Sequence, residues 1–263
     1  MRYYLDLIWA YAAQYLKGRA AYSSDFLAAL FSEVLSQLSS VVFVLVVFTQ
    51  VPDLQGWNRA EMIFLYGYFL VPFALFQGVA ANLWSFGDRF IIKGELDRIL
   101  TRPVNPVLQL VLEGFELESL LGVVSGLIVM AVSGRGLGLH WGWVQTAALL
   151  LFSVSGALVY VGLYVTLATL AFWTDSRTGL MPLLWNFNAY ARYPVSIYNR
   201  LLRLVLTWVL PFAFAGSIPA AALLGRDGML RLALWTPLVG LASLLLAWAA
   251  WTAGLRRYHG AGS

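Results

Sequence analysis

Residues 175–224, DSRTGLMPLLWNFNAYARYPVSIYNRLLRLVLTWVLPFAFAGSIPAAALL, decide the fold of this 263-residue chain, because they form the long apolar region that admits two readings. Plain hydropathy makes 201–224 a membrane-crossing helix. It leaves 175–200, with Arg177, Arg192 and Arg200, as an inner loop, which satisfies the bias of Lys and Arg toward the cytoplasmic side. Pro211, Gly216 and Pro219 speak against that reading. Proline removes a helical donor and clashes with the preceding turn, and lipid-exposed broken backbone is disfavoured. The favoured reading makes 176–193 the fifth crossing, with Asn186 and Asn188 on a protein-facing side. Residues 194–225 then form an outer re-entrant hairpin of short helices carrying Pro194, Pro211 and Pro219. This places Arg200 and Arg203 outside, against the charge bias.

Composition sets the frame around this stretch. The chain is 60% hydrophobic and 11% charged, against about 25% charged in a soluble domain, so lipid is the solvent for most of its surface. Apolar runs of about 20 residues without period-two alternation predict helices, not a barrel. The fold class expected is an all-α integral membrane protein of one domain, 1–263. Five further spans are read at 26–51, 62–84, 107–132, 143–173 and 229–255. Residues 1–25 have the apolar spacing of a helix lying in the interface. Lys17, Arg19, Arg89, Lys93, Arg98, Arg102, Arg256 and Arg257 gather on one side and Arg59 and Arg135 on the other, which predicts cytoplasmic termini. Gly67, Gly78, Gly122 and Gly126 lie within spans, where small residues permit close helix packing.

Several chemistries are excluded or weakened. The chain has no cysteine and two histidines, His140 and His259, so no metal site is expected. Its lysines are Lys17 and Lys93, neither in a G-x-x-x-x-G-K-[ST] setting, so the chain cannot be its own ATPase. No catalytic residue is assigned. Nothing in the charge distribution calls for nucleic acid. Glu33 and Gln37 lie one turn apart in the first span, and with Asn186 and Asn188 they are candidates for lining a translocation path. Glu113 and Glu116 share a face of the third span and could pair with Arg89 or Arg102.

The one strongly charged stretch inside the apolar chain is GELDRILTRPVNP at 94–106. Within 85–103, Phe90, Ile91, Ile92, Leu96, Ile99 and Leu100 interleave with charges so that one face is apolar, as expected of a helix seated in a groove on a partner.

The segment at 93–103, KGELDRILTRP, resembles that of the type 2 ABC exporter permeases, in the small six-span branch related to daunorubicin-resistance and glycolipid exporters. Tyr193-Pro194-Val195-Ser196-Ile197-Tyr198, with Pro211-Phe212-Ala213 downstream, is similar to the proline-bearing outer segment of that branch. The resemblance implies an N-terminal elbow helix, six spans, and a dimer of permease subunits carrying a cytoplasmic ATP-binding-cassette ATPase dimer. It implies that ATP and Mg bind the partner ATPase and that this chain holds no cofactor. Gly94, Glu95, Asp97, Arg98, Arg102 and Pro103 carry over as coupling elements, in a multi-pass subunit of a prokaryotic plasma or inner membrane. The expected activity is export of an amphipathic or lipid-like cargo. Two rival readings remain. One is a membrane-embedded lipid-modifying enzyme using Glu113, Glu116 and Asp175; the other is an ion-coupled transporter using Glu33.

Overall fold

The computed structural model describes Ala13 and residues 23–174 and 180–258; the proposed interfacial helix at 1–25 falls almost wholly outside them, as do Asp175 and His259. Among the described residues the regular structure is helical apart from one isolated bridge between Leu54 and Trp57. Five helices are long and apolar enough to cross a membrane: Phe26–Gln50, Arg59–Trp84, Glu118–Gly136, Trp143–Thr174 and Met229–Arg257. A sixth follows only if the bent pair Arg200–Val209 and Phe212–Leu223, which meet at 72°, counts as one.

Helix α1 (Ser23–Gln50) is the least covered of the five. It leads into a tight loop in which Gln55 and Gly56 take positive φ and the Gly56 amide donates to Asp53 Oδ1 at 3.0 Å. Helix α2 (Arg59–Trp84) starts on a reciprocal cap. The Glu61 amide donates to the Asn58 side chain at 3.0 Å and the Asn58 amide to Glu61 Oε2 at 2.9 Å, satisfying two otherwise orphaned donors. Pro72 is accommodated because α2 is the central, most buried helix, where neighbouring helices shelter the broken bond.

The chain then reverses through a π-helical turn (Phe86–Ile92), α3 (Glu95–Leu100) and α4 (Pro106–Glu113). The expected third span at 107–132 is corrected here. Its first third is the separate helix α4, a break follows at Gly114, and the crossing helix runs from Glu118 through α5 (Leu121–Gly136). The break is held by tertiary contact: the Glu116 amide donates to the Gly78 carbonyl of α2 at 3.0 Å, and a Cβ at Gly114 would meet Asn82 at 2.8 Å.

Helices α2 and α5 approach backbone to backbone. A Cβ on Gly126 would lie 2.6 Å from the Gly67 carbonyl oxygen, and one on Gly122 would lie 2.7 Å from the Ala74 methyl. Gly78 has ordinary room and contributes its carbonyl instead. Helix α6 (Trp143–Thr169), extended by α7 (Ala171–Thr174), returns across the molecule. It packs along α13 (Thr236–Arg257), where Gly162 faces Ser243.

Between these two lies the stretch that decides the architecture. Helix α8 (Met181–Asn188) continues as a 3-10 turn (Ala189–Arg192), eight residues and then four, so the described part of the fifth span expected at 176–193 is shorter than the roughly 20 residues a crossing helix needs. It nevertheless runs along most of α2. Trp185 meets Trp84 edge to face at 5.2 Å, Arg192 lies over Phe69 at 5.6 Å, and Trp57 donates to Ser196 Oγ at 3.2 Å. Beyond it come α9 (Arg200–Leu204) with a π turn (Val205–Val209), α10 (Phe212–Ala215), α11 (Ser217–Leu223) and α12 (Met229–Ala233). The backbone breaks at Pro211 and Gly216 sit beside helices that are buried almost throughout. Internal broken backbone is the kind a membrane protein tolerates.

Candidate functional site

Residues 85–103 are not a single helix. The π turn ends at Lys93, whose amide donates to the Asp88 carbonyl at 3.1 Å, and Gly94 turns the chain at φ 73° before α3 begins. That left-handed conformation strains any residue carrying a Cβ. The apolar face expected to seat in a partner belongs to the chain's own core: Phe90, Leu96 and Ile99 are fully buried, in one cluster with Phe86, Phe172 and Trp251. Helix α3 is therefore bolted to the spans, and its outward surface consists of Lys93, Arg98, Thr101, Arg102 and Pro103 with the exposed Ile92 and Leu100.

Ion pairs tie this surface to the π turn and α4, and a hydrogen bond extends the tie to α2. Arg89 meets Glu95 at 2.7 Å and also donates to Asn82 Oδ1 at 3.3 Å, while Asn82 donates to the Leu110 carbonyl at 2.7 Å. Lys93 meets Asp88 at 2.6 Å. Glu113, the best shielded carboxylate of the group, receives Arg98 at 3.1 Å, Arg102 at 3.4 Å and Gln109 at 2.8 Å. The expected partnership of Glu113 with Arg102 is present, and Arg89 turns to Glu95 instead. Tyr258, which packs edge to face on Phe172 at 5.9 Å, has its phenol pushed up to about 12 by burial and then by the Asp97 carboxylate. Glu113 is thus engaged by three donors of the chain itself.

The path candidates divide. Glu33 and Gln37 face one cavity of about 140 Å³ enclosed by α1, α2, the start of the α5 span and the Trp185–Arg192 side of the short helix. Gln37 Nε2 donates to Glu33 Oε1 at 2.7 Å. Asn186 is exposed, and Asn188 is buried with its Oδ1 unpartnered, but neither lines this cavity. Sequence reading missed its other polar walls: Ser36 and Ser40 on α1, Gln77 on α2, Ser119 and Arg192. Positions 33, 36, 37 and 40 repeat with helical period, a signal legible in the sequence. Gln77 and Arg192 become visible only once the helices are assembled.

The opposite end of the molecule is fastened by Arg226. Its guanidinium donates to the Gly56 carbonyl at 2.6 Å, meets Glu61 at 2.7 Å and lies 3.8 Å from the Trp57 ring. A second cavity of about 470 Å³ opens beside it, bordered by Trp57, Pro194, Ser196 and Ser217. Pro211 and Pro219 lie instead at the bend and within α11. Arg203, which the charge bias disfavours at this end, is held by the carbonyls of Val195, Ser196 and Tyr198 at 2.8–3.2 Å. Among the described residues no cluster of His, Asp or Glu has the arrangement of a metal site.

No curated protein and no solved structure matches this chain. The sequence model described as ABC-2 family transporter protein matches residues 34–262, taking in the charged segment, the polar cavity apart from Glu33, and every helix after α1. With most of its length matched and several membrane-spanning helices in place, the chain belongs to the ABC-2 transporter family and is a multi-pass membrane subunit of an ABC transporter.

Proposed function

We propose that this chain is the permease subunit of an exporter for an amphipathic or lipid-like cargo, driven by a separate dimer of ATP-binding-cassette ATPases that bind ATP and Mg. The permease works as a dimer in a prokaryotic plasma or inner membrane with cytoplasmic termini, and residues 1–25 form its elbow helix. Gly94, Glu95, Asp97, Arg98, Arg102 and Pro103 couple the ATPase to the spans.

The observation that carries this reading is the ion-paired block around α3. A lever transmits force only if it is stiff relative to what it moves. Leu96 and Ile99 are buried in the core, and Arg98 and Arg102 converge on Glu113. A push on the exposed face of α3 therefore reaches α2 through Arg89 and Asn82 and again through the Glu116 bond to Gly78, and α5 along the chain from α4. What supports the re-entrant hairpin is that both ends of 196–226 meet the same loop: Ser196 bonds Trp57, and Arg226 bonds Gly56. A segment that leaves and returns at one end does not cross.

The test is a double substitution on the outward surface, Ile92→Asp with Leu100→Asp, which spares the ion pairs and the buried face. ATPase copurification and ATP-driven export are expected to fall at least about tenfold, the scale of losing one or two interface anchors, while the thermal unfolding midpoint holds. Unchanged copurification and export would overturn the coupling assignment.

A further inference from the structure

We infer that the cavity at Glu33 and Arg192 is a head-group site for a zwitterionic amphiphile, an assignment that rests on the permease reading and specifies its cargo class. The cavity lies among membrane-spanning helices, yet it carries a full guanidinium. Arg192 has no carboxylate within ion-pair distance among the described residues, and its buried Nε has no acceptor. Leaving such a donor unmatched in a low-dielectric interior is costly, and an anionic group entering the cavity removes that cost. The same cavity holds the converse defect: Gln77 Oε1 is buried with no donor.

At the rim on α1, Glu33 supplies a negative charge that one amide of Gln37 only partly satisfies. Glu33 and Arg192 face one space without pairing to each other. A ligand carrying one charge matches one wall and opposes the other; a ligand carrying both matches both. Phe69 lies under the Arg192 guanidinium, while the rings of Phe73 and Trp185 complete the wall, and aromatic faces favour an alkylated ammonium over a strongly hydrated ion. At about 140 Å³ the space suits a compact head and excludes a long tail. The tail then stays outside the cavity, in the lipid around the poorly covered α1.

The full-length chain, purified in a maltoside detergent, is titrated calorimetrically with lysophosphatidylcholine, lysophosphatidic acid and an alkyltrimethylammonium of matched chain length. Glycerophosphocholine serves as the tail-free head. The zwitterionic amphiphile is expected to bind at least about tenfold more tightly than the other three, the scale of one charge-assisted contact. Arg192→Gln should remove that advantage and Arg192→Lys should restore part of it. Glu33→Gln, on the exposed rim, should bring lysophosphatidylcholine down to the affinity of lysophosphatidic acid. Equal binding of the three amphiphiles would overturn the site as mere partitioning, as would wild-type affinity in either the Glu33→Gln or the Arg192→Gln protein. Glycerophosphocholine binding as tightly as the lysolipid would overturn the amphiphile assignment. No ATPase takes part in this measurement, so its failure leaves coupling through α3 untouched, and a failure of coupling with binding intact leaves this site standing.

Discussion

Single residues set the tolerances of this molecule where backbones touch. Gly126 presses on the Gly67 carbonyl, with no space for even one methyl group. Gly126→Val is therefore expected to push α5 away from α2 and to destabilise the subunit by about 1–3 kcal/mol, the usual cost of overpacking; a lowered thermal midpoint in detergent checks this, and an unchanged midpoint contradicts the packing. Small-residue spacing at Gly122 and Gly126 was readable in the sequence, as was the pairing of Glu113 with Arg102. The direction of Arg89 was not. The sequence offered Glu113 and Glu116 as its partners, and only the turn at Gly94 brings the Glu95 carboxylate to 2.7 Å.

At the scale of elements, α3 shows what an amphipathic pattern leaves open. Its interleaved apolar and charged residues are equally compatible with a groove on another protein and with the underside of the same chain. Burial of Leu96 and Ile99 against Phe86 and Phe172 settles the choice, because a six-residue helix is too short to persist without tertiary packing. Glu113 joins this element to α4, so Glu113→Gln, which keeps the Gln109 contact and removes the charge holding Arg98 and Arg102, should loosen the block. Its arginines are nearly half exposed, so the stability cost is expected to be small, below about 1 kcal/mol, while transport per ATP hydrolysed falls. Measuring both ATPase rate and export separates the two effects; a proportional fall in both would contradict slackened coupling. The third span is the converse case. Hydropathy ran α4 and α5 together, since neither the break at Gly114 nor the Glu116 bond to Gly78 changes average apolarity.

The whole molecule is ordered by two ends, one bearing the ion-paired charges and the other clasped by Arg226. Helices connecting them alternate in direction, and 196–226 departs from and rejoins the clasped end. Because the chain has no native cysteine, single introduced thiols report the side of each end directly. Arg200→Cys and Asp227→Cys, both at exposed positions, should react with an impermeant reagent from outside intact cells, and Thr101→Cys only after permeabilisation. Opposite labelling of Arg200→Cys and Asp227→Cys would convert the hairpin into a full crossing.

Composition and hydrophobic length, both local properties, were enough to establish an all-helical membrane protein, most of its crossings and the charged segment, while the family was legible only in the resemblance carried by residues 93–103 and 193–198. The tertiary structure alone decided where the apolar face of α3 goes, where the third crossing begins, and that Glu33, Gln77 and Arg192 share a cavity. These depend on contacts between residues far apart in the chain. In lipid, where hydrophobicity is nearly the same on every face of a span, such contacts leave little trace in the apolar pattern.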